Sequence, residues 1–330
     1  MRDPVLIEVA DRSASGEARR EGSRIAGHLS LGDEEKSRAD IVITELATNL
    51  VKHASAGWIL IGRADGSNDT LEILALDSGP GIDDVGKALR DGHSTTGTSG
   101  TGLGAVSRLA DYFQIYSRAN KGTGVLARIS RADAPKRGEM ARVGGISVAL
   151  RGETVNGDGW AFTANDGVCT VMVVDGLGHG LYAHDAAVAA CEAFAGAKGS
   201  CGDILQTIHH AIRSTRGAAV AVAGLDAANG RVCFAGVGNI SATMIEPVAR
   251  RSAVSMHGIA GHEMREVREF TYPWSRQSSL IMHSDGLTTR WDLDAYPALL
   301  TRDPVLVAGI LWKDHRRRND DATVVVARTP

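Results

Sequence analysis

A chain of 330 residues is long enough for two ordinary domains. With 43% of its residues hydrophobic and 23% charged, it falls outside the disordered and fibrous classes. A net charge of −3 supplies no global attraction to nucleic acid or to acidic membranes, and neither is expected as a partner. No stretch approaches the roughly 18 apolar residues of a membrane span, and the N-terminus lacks the apolar core of a signal peptide. Cys169, Cys191, Cys201 and Cys233 show no CxxC spacing, so neither a disulfide framework nor a zinc site is expected. Together these features predict a cytoplasmic protein.

In chain order, "VLIEVA" reads as a strand, followed by a helix and a second helix from about Glu34 to His53. In that second helix Ala39, Val42, Ile43, Leu46, Ala47 and Leu50 recur at the spacing of one buried stripe. "WILIGR" and "TLEILALD" read as strands, and the latter ends at a Ser-Gly-Pro-Gly turn. A Gly/Ser/Thr-rich run, "GHSTTGTSGTGLG", leads into the helix-like "AVSRLAD", and "FQIYSR" and "GVLARIS" follow as strands. Helices followed by a run of strands predict an α+β sandwich with helices on one face of a mixed sheet. Charge, a proline and glycines at 131–145 then mark a boundary, giving domains at 1–134 and 145–330 with a linker over 135–144. Beyond it come the short strands "ISVALR", "CTVMVVD", "AAVAVAGLD", "RVCFAGVG", "SATMIE", "SLIMHSD" and "ATVVVAR". Two helical segments, about 181–197 and 202–214, interrupt them and predict a β-sandwich flanked by helices.

Three elements of the first half carry chemistry when taken together. Glu45 and Asn49 stand one helical turn apart and share a face, where a carboxylate and a carboxamide can order a hydroxyl and ligate magnesium. Asp77 ends an apolar strand, and Gly79 and Gly81 let the backbone approach a flat ligand. There the carboxylate can accept a hydrogen bond from an exocyclic amine such as that of adenine. Gly97, Gly100, Gly102 and Gly104 enter a helix N-terminus, an arrangement that binds anions through backbone N–H groups. The ending of a Walker loop is absent, and no strand–helix–strand unit of a dinucleotide fold surrounds the run. Singly, each element reads as an ordinary helix face, turn or linker.

In the second half, Asp158, Asp175, Asp285 and Asp320 each sit in a tight turn or at the end of a hydrophobic strand. Carboxylates converging from such ends would bind hard divalent cations through oxygen. Two ions roughly 3.5–4 Å apart suit phosphoester hydrolysis.

In order and spacing, Glu45 and Asn49, then Asp77, Gly79 and Gly81, then Gly100, Gly102 and Gly104 resemble the N, G1 and G2 boxes of the GHKL ATPases. The resemblance runs over about residues 4–130 and is nearest to the RsbT-type serine/threonine switch kinases. It implies a Bergerat α/β sandwich binding ATP and Mg2+. Asp77, Gly79 and Gly81 would read adenine, Asn49 would hold magnesium and Glu45 would act as base. Gly100, Thr101, Gly102, Leu103 and Gly104 would wrap the phosphates, with Ser94–Ser99 as a lid, and Thr123 of "KGTG" would close the adenine pocket.

The four aspartates, with "DGLGHG" and "GVGNI", resemble the SpoIIE/RsbX-like branch of the metal-dependent PPM phosphatases over about residues 143–328. That resemblance implies an αββα sandwich holding two Mn2+ or Mg2+. Asp175 would bridge both ions, Gly176 would offer its carbonyl, Asp158 would complete one ion, and Asp285 and Asp320 the other. Asp320 is preferred over Asp321 because it holds the first position of the matching motif. Asn156 departs from the usual Gly-Gly-Asp. His179 reads equally as a general acid and as a structural histidine, Asn239 is a rim candidate, and no arginine stands out to grip phosphate.

Both resemblances imply STAS-domain phosphoproteins of a stressosome or partner-switching module as partners, feeding a sigma factor or a downstream cyclase. Two rivals stay open: a phosphatase that senses ATP without transferring phosphate, and an RsbW-like anti-sigma module fused to a phosphatase.

Overall fold

Small residues on one helix face decide the packing of the N-terminal part. Helix α1 (Arg12–His28) buries Ala14, Ala18, Gly22 and Ala26. Helix α2 (Asp33–His53) buries the stripe Ala39, Val42, Ile43, Leu46, Ala47 and Leu50. A Cβ at Gly22 would stand 2.2 Å from Ile43 Cδ1, so the small stripe is what lets the two helices approach. Asp33, Glu34 and Glu35 in the first turn of α2, and Lys52 and His53 in its last, complement the helix dipole at both ends.

The computed structural model describes residues 4–54, 56–90, 102–134, 143–165, 167–246 and 249–328. These fall into two compact units. One joins the described residues between 2 and 140 to Leu293–Lys313, and the other holds those of 141–292 and 314–330. The proposed linker, 135–144, lies outside the described residues except for its last two positions.

In the first unit, α1 and α2 cover a sheet of order β1-β2-β3-β5-β4. Its strands are β1 (Val5–Glu8), β2 (Gly57–Arg63), β3 (Thr70–Asp77), β4 (Tyr112–Arg118) and β5 (Gly122–Ser130). The expected mixed sheet is instead antiparallel at every pairing. The reason is connectivity: β1 is followed by two helices, an even number of reversals, so β2 returns alongside it in the opposite sense. Two shorter helices, α3 (Val85–Ala88) and α4 (Gly102–Leu109), lie between β3 and β4, and α4 packs on α2 with Val106 in the core.

The second unit is a sandwich of two antiparallel sheets. The first has the order β13-β10-β9-β8-β7, formed by β7 (Asp158–Asn165), β8 (Val168–Gly176), β9 (Ala218–Asp226), β10 (Arg231–Val237) and β13 (Phe270–Pro273). The other has the order β12-β11-β14-β15-β6, from β6 (Val143–Val148), β11 (Ser241–Glu246), β12 (Ala249–Ser252), β14 (Ser279–His283) and β15 (Ala322–Arg328). Alternation along the strands sends Val171, Val173, Phe234, Met282 and Val325 between the sheets. It sends Met172, Val174, Val220 and Val222 outward against α5 (Leu181–Gly196) and α6 (Cys201–Ala211).

Two features depart from the sequence expectation in this half. Cys201, opening α6, is joined to Cys233 on β10 in a disulfide with Cα atoms 6.4 Å apart, because α6 packs across β10. The last helix, α7 (Pro304–His315), carries no periodic signal because every residue from Pro304 to Lys313 is buried, which erases a polar face.

Helix α7 covers the face of the N-terminal sheet opposite α1 and α2. Leu71, Ile73 and Ala75 of β3 join the helical core, whereas a Cβ at Gly309 of α7 would stand 2.7 Å from Leu74 on the other face. Trp312 meets Trp58 of β2 edge-on, with ring centres 6.0 Å apart. Asp303, just ahead of α7, is fully buried and paired with Arg128 of β5 through contacts of 2.8 and 3.1 Å. Arg128 also donates to Glu72 at 2.7 Å. A charge buried this deeply is tolerated only when paired and hydrogen-bonded in this way.

Candidate nucleotide site and candidate metal centre

The end of β3 is the organising point of the first unit. Asp77 Oδ1 accepts from Gly79 N at 2.6 Å, and the Thr123 amide also donates to the carboxylate. Burial raises the carboxyl above its usual range, and these two amides and the cations Lys313 and His53 pull against that. A Cβ at Gly79 would stand 2.6 Å from the His53 carbonyl, which presses the turn onto the end of α2. Glu45 and Asn49 lie on α2, both half-buried, with Asn49 one turn before that contact.

The β4–β5 hairpin closes the other side. Ile82 N donates to Ser117 Oγ at 2.7 Å, Asn120 N to the Pro80 carbonyl at 2.7 Å, and Ser117 and Thr123 hydroxyls meet at 2.9 Å. Gly81 has φ +79° and stands against the Arg118 carbonyl. At Gly122, with φ +82°, a Cβ would lie 1.8 Å from the Asp77 carbonyl, so only glycine fits there. Gly102, Leu103 and Gly104 form the first turn of α4. Arg38 of α2 holds the helix end by donating to the Leu109 carbonyl at 3.0 Å. Gly97, Gly100, Thr101 and the lid stretch Ser94–Ser99 lie outside the described residues. A half-buried acceptor beside a glycine-built turn fits a flat amine-bearing base, and the N-terminal turn of α4 fits phosphate.

In the second unit Asp158 and Asp175 are directly opposite across β7 and β8. Like charges in that register repel unless a cation lies between them. Asp285 N donates to the Asp175 carboxylate, and Asp285 and Asp320 hydrogen-bond through their side chains. This contact arises because the turn after β14 meets the start of β15: a Cβ at Gly286 would stand 1.7 Å from the Asp321 carbonyl. Gly176 is pinned by Gly157, whose carbonyl accepts its N–H at 3.0 Å.

Desolvation, reinforced by Asp285 and Asp320, pushes Asp175 up to about 7. Burial and Asp175 raise Asp158, and burial and Asp285 raise Asp320. Asp321, raised by its own burial, accepts from Leu150 N at 2.6 Å and Gly157 N at 3.0 Å and adds its charge to the repulsion on Asp158, Asp175 and Asp320. An all-oxygen, mutually repelling set suits hard divalent cations.

Among the described residues, the one triad with ligand atoms within 4.8 Å of one another is Cys201, Cys233 and Glu269, whose sulfurs are already bonded to each other. His179 sits on the exposed loop after Gly178, its Nδ1 2.7 Å from Glu153 Oε1. Asn239 Nδ2 donates to Asp285 Oδ2 at 2.7 Å.

Asp175 is ordinarily ionised above 3.8 but keeps its proton to about 7 in the folded, metal-free chain. The folded state therefore binds the extra proton between those values, and stability falls as pH rises through that window. A divalent cation must displace the proton, so its stabilisation grows with pH. Manganese at a hundredfold excess over its Kd should add about 2.7 kcal/mol, roughly 5–10 °C in midpoint. Calorimetry at pH 7.5 should show this shift, and at pH 5.5 a clearly smaller one.

Several groups around the candidate centre carry no functional signal of their own in the sequence. Ser284, fully buried, donates to Asp158 Oδ2 at 2.6 Å and accepts from Thr323 N at 3.0 Å. Asn156 Oδ1 accepts from Asp158 N and its amide donates to Ser147 Oγ at 2.8 Å, so it props the strand start. Arg216 lies with its guanidinium 4.2 Å over the Tyr182 ring, beside Gly178. For Ser284 the available signal was its place beside Asp285 on a buried strand. For Arg216 no local pattern existed, because a chain reversal after α6 brings it there.

The comparisons agree with both halves. The family described as Histidine kinase-like ATPase domain matches residues 9–129, and the family described as Stage II sporulation protein E (SpoIIE) matches residues 165–330. Serine/threonine-protein kinase RsbT of Bacillus subtilis (strain 168) is 41% identical over 111 residues, covering 33% of this chain and 84% of that protein. A solved structure described as the bacterial stressosome, a modular system adapted to control secondary messenger signaling, is 28% identical with TM-score 0.53. It covers 57% of this chain and 98% of that one. RsbX in complex with magnesium, 20% identical with TM-score 0.51, covers 57% and 94% and shows the likeness of fold.

Proposed function

Because the chain belongs to the SpoIIE family through residues 165–330 and joins that half to a kinase-like ATPase domain homologous to RsbT, we propose a bifunctional partner-switching regulator. The N-terminal unit would phosphorylate serine or threonine on a STAS-domain partner, and the C-terminal unit would remove such phosphates. The observation that carries the reading is the cluster of aspartates in which Asp158 and Asp175, both desolvated, stand face to face and Asp285 and Asp320 add to the repulsion on Asp175. The RsbT homology and the similarity to the stressosome structure support the choice of partner class.

In the phosphatase unit, Asp158, Asp175, the Gly176 carbonyl, Asp285 and Asp320 would hold two Mn2+ or Mg2+. When bound, such ions neutralise the phosphoryl oxygens as the ester bond breaks. His179, oriented by Glu153, would donate a proton to the departing serine or threonine oxygen. Asn239 orients Asp285, and Ser284 holds Asp158 at the start of β7. In the ATPase unit Asp77 would accept from the adenine amine and Thr123 would close the pocket. Asn49 would ligate magnesium, Glu45 would take the proton from the acceptor hydroxyl, and Gly100–Gly104 would wrap the phosphates.

The phosphatase assignment is tested by phosphate release from a phosphoserine peptide and from a phosphorylated STAS domain, with manganese and after chelation. Release that requires the metal is expected; release that persists after chelation contradicts the metal centre.

A further inference from the structure

We propose that Lys313 is a positioning residue of the nucleotide site, holding the Lys121–Thr123 turn against Asp77 and so setting the fit to adenine. Lys313 belongs by sequence to the C-terminal half, yet Leu293–Lys313 forms part of the N-terminal unit. Its side chain is 6% exposed, a burial that lysine tolerates only with a partner. Its Nζ donates to the Lys121 carbonyl at 2.8 Å, and the ammonium stands in the last turn of α7, where the helix dipole favours a cation.

The Lys121 carbonyl adjoins Gly122, the residue packed so tightly on the Asp77 carbonyl that no side chain fits. The next residue, Thr123, gives its amide to the Asp77 carboxylate. Lys313 thus anchors the hairpin whose next two residues shape the acceptor, and its charge also favours the ionised carboxylate of Asp77. The segment that carries it is bracketed in sequence by Asp285 and Asp320, so one stretch of chain serves the adenine pocket and links two candidate metal ligands.

The proposal rests on the reading of Asp77 as the adenine acceptor. The test uses the full chain as wild type, Lys313→Met and Lys313→Gln, titrated with ADP and with GDP in magnesium, with thermal midpoints alongside. Lys313→Met should bind ADP about tenfold more weakly and lose preference for ADP over GDP, while Lys313→Gln, which keeps a donor, should fall between it and wild type. A purely structural lysine would lower the midpoint and leave the ADP/GDP ratio unchanged, which overturns the proposal. If Lys313→Met does not fold, Lys313→Gln carries the same comparison. Wild type that binds neither nucleotide overturns the reading of the site and the proposal with it. Wild type that prefers ADP, with an equal preference in both variants, overturns the proposal alone.

Discussion

Asp175→Asn is expected to abolish metal-dependent release of phosphate from phosphoserine, by at least about a thousandfold, while leaving the chain folded. The substitution removes the carboxylate that faces Asp158 and receives the Asp285 amide, and with it the charge around which two ions would gather. A thousandfold loss corresponds to about 4 kcal/mol, within what charge neutralisation by bound cations supplies. Above about pH 7, where Asp175 would lose its proton, the same change relieves repulsion in the metal-free protein, because an amide opposite Asp158 carries no charge. The metal-free thermal midpoint should therefore stay level or rise while activity vanishes. A variant that loses activity only by unfolding, or that keeps manganese-dependent turnover, contradicts the assignment of Asp175.

Asp77→Asn should act on the other unit alone. The carboxylate accepts from two backbone amides, and an asparagine presents at most one oxygen to them and to adenine. Loss of a charge-assisted hydrogen bond at a desolvated site costs about 2–3 kcal/mol, or roughly 30- to 150-fold in affinity. ATP binding by calorimetry should weaken by that factor. Phosphate release from a small phosphoserine peptide should persist. Undiminished ATP binding would remove Asp77 from the adenine site.

What the sequence revealed, and what it hid, follows from periodicity and locality. The α2 stripe from Ala39 to Leu50 was legible because one face is buried and the other is solvated. Strand β9 was legible as an unbroken apolar run bounded by turns. Helix α7 carried the opposite pattern: buried all round, "PVLVAGILW" has no polar face to set a helical period, and a short apolar run does not separate helix from strand. Strand β7 begins at Asp158 and ends in exposed Ala164 and Asn165, so its alternation is weak. Strand direction was misjudged because an even number of intervening helices reverses the outcome of a single crossover.

At the candidate metal centre Asp175 and Asp285 stood out as strand-end Asp-Gly turns, whereas the groups that hold the aspartates did not. Ser284 and Asn156 act through contacts with Asp158, Ser147 and Thr323 that exist only once the two sheets have closed. Lys313 is the extreme case, since its partner Lys121 lies far back in the chain.

Two opposed activities on one class of partner would make this chain both writer and eraser of the same phosphate. That pairing is tested most directly by following label from γ-labelled ATP on a purified STAS protein over time, with magnesium, for wild type and Asp175→Asn. Label should accumulate on a serine or threonine with the variant, whereas with wild type it should appear and then be released as inorganic phosphate. ATP that binds while neither chain ever labels the STAS protein would contradict it.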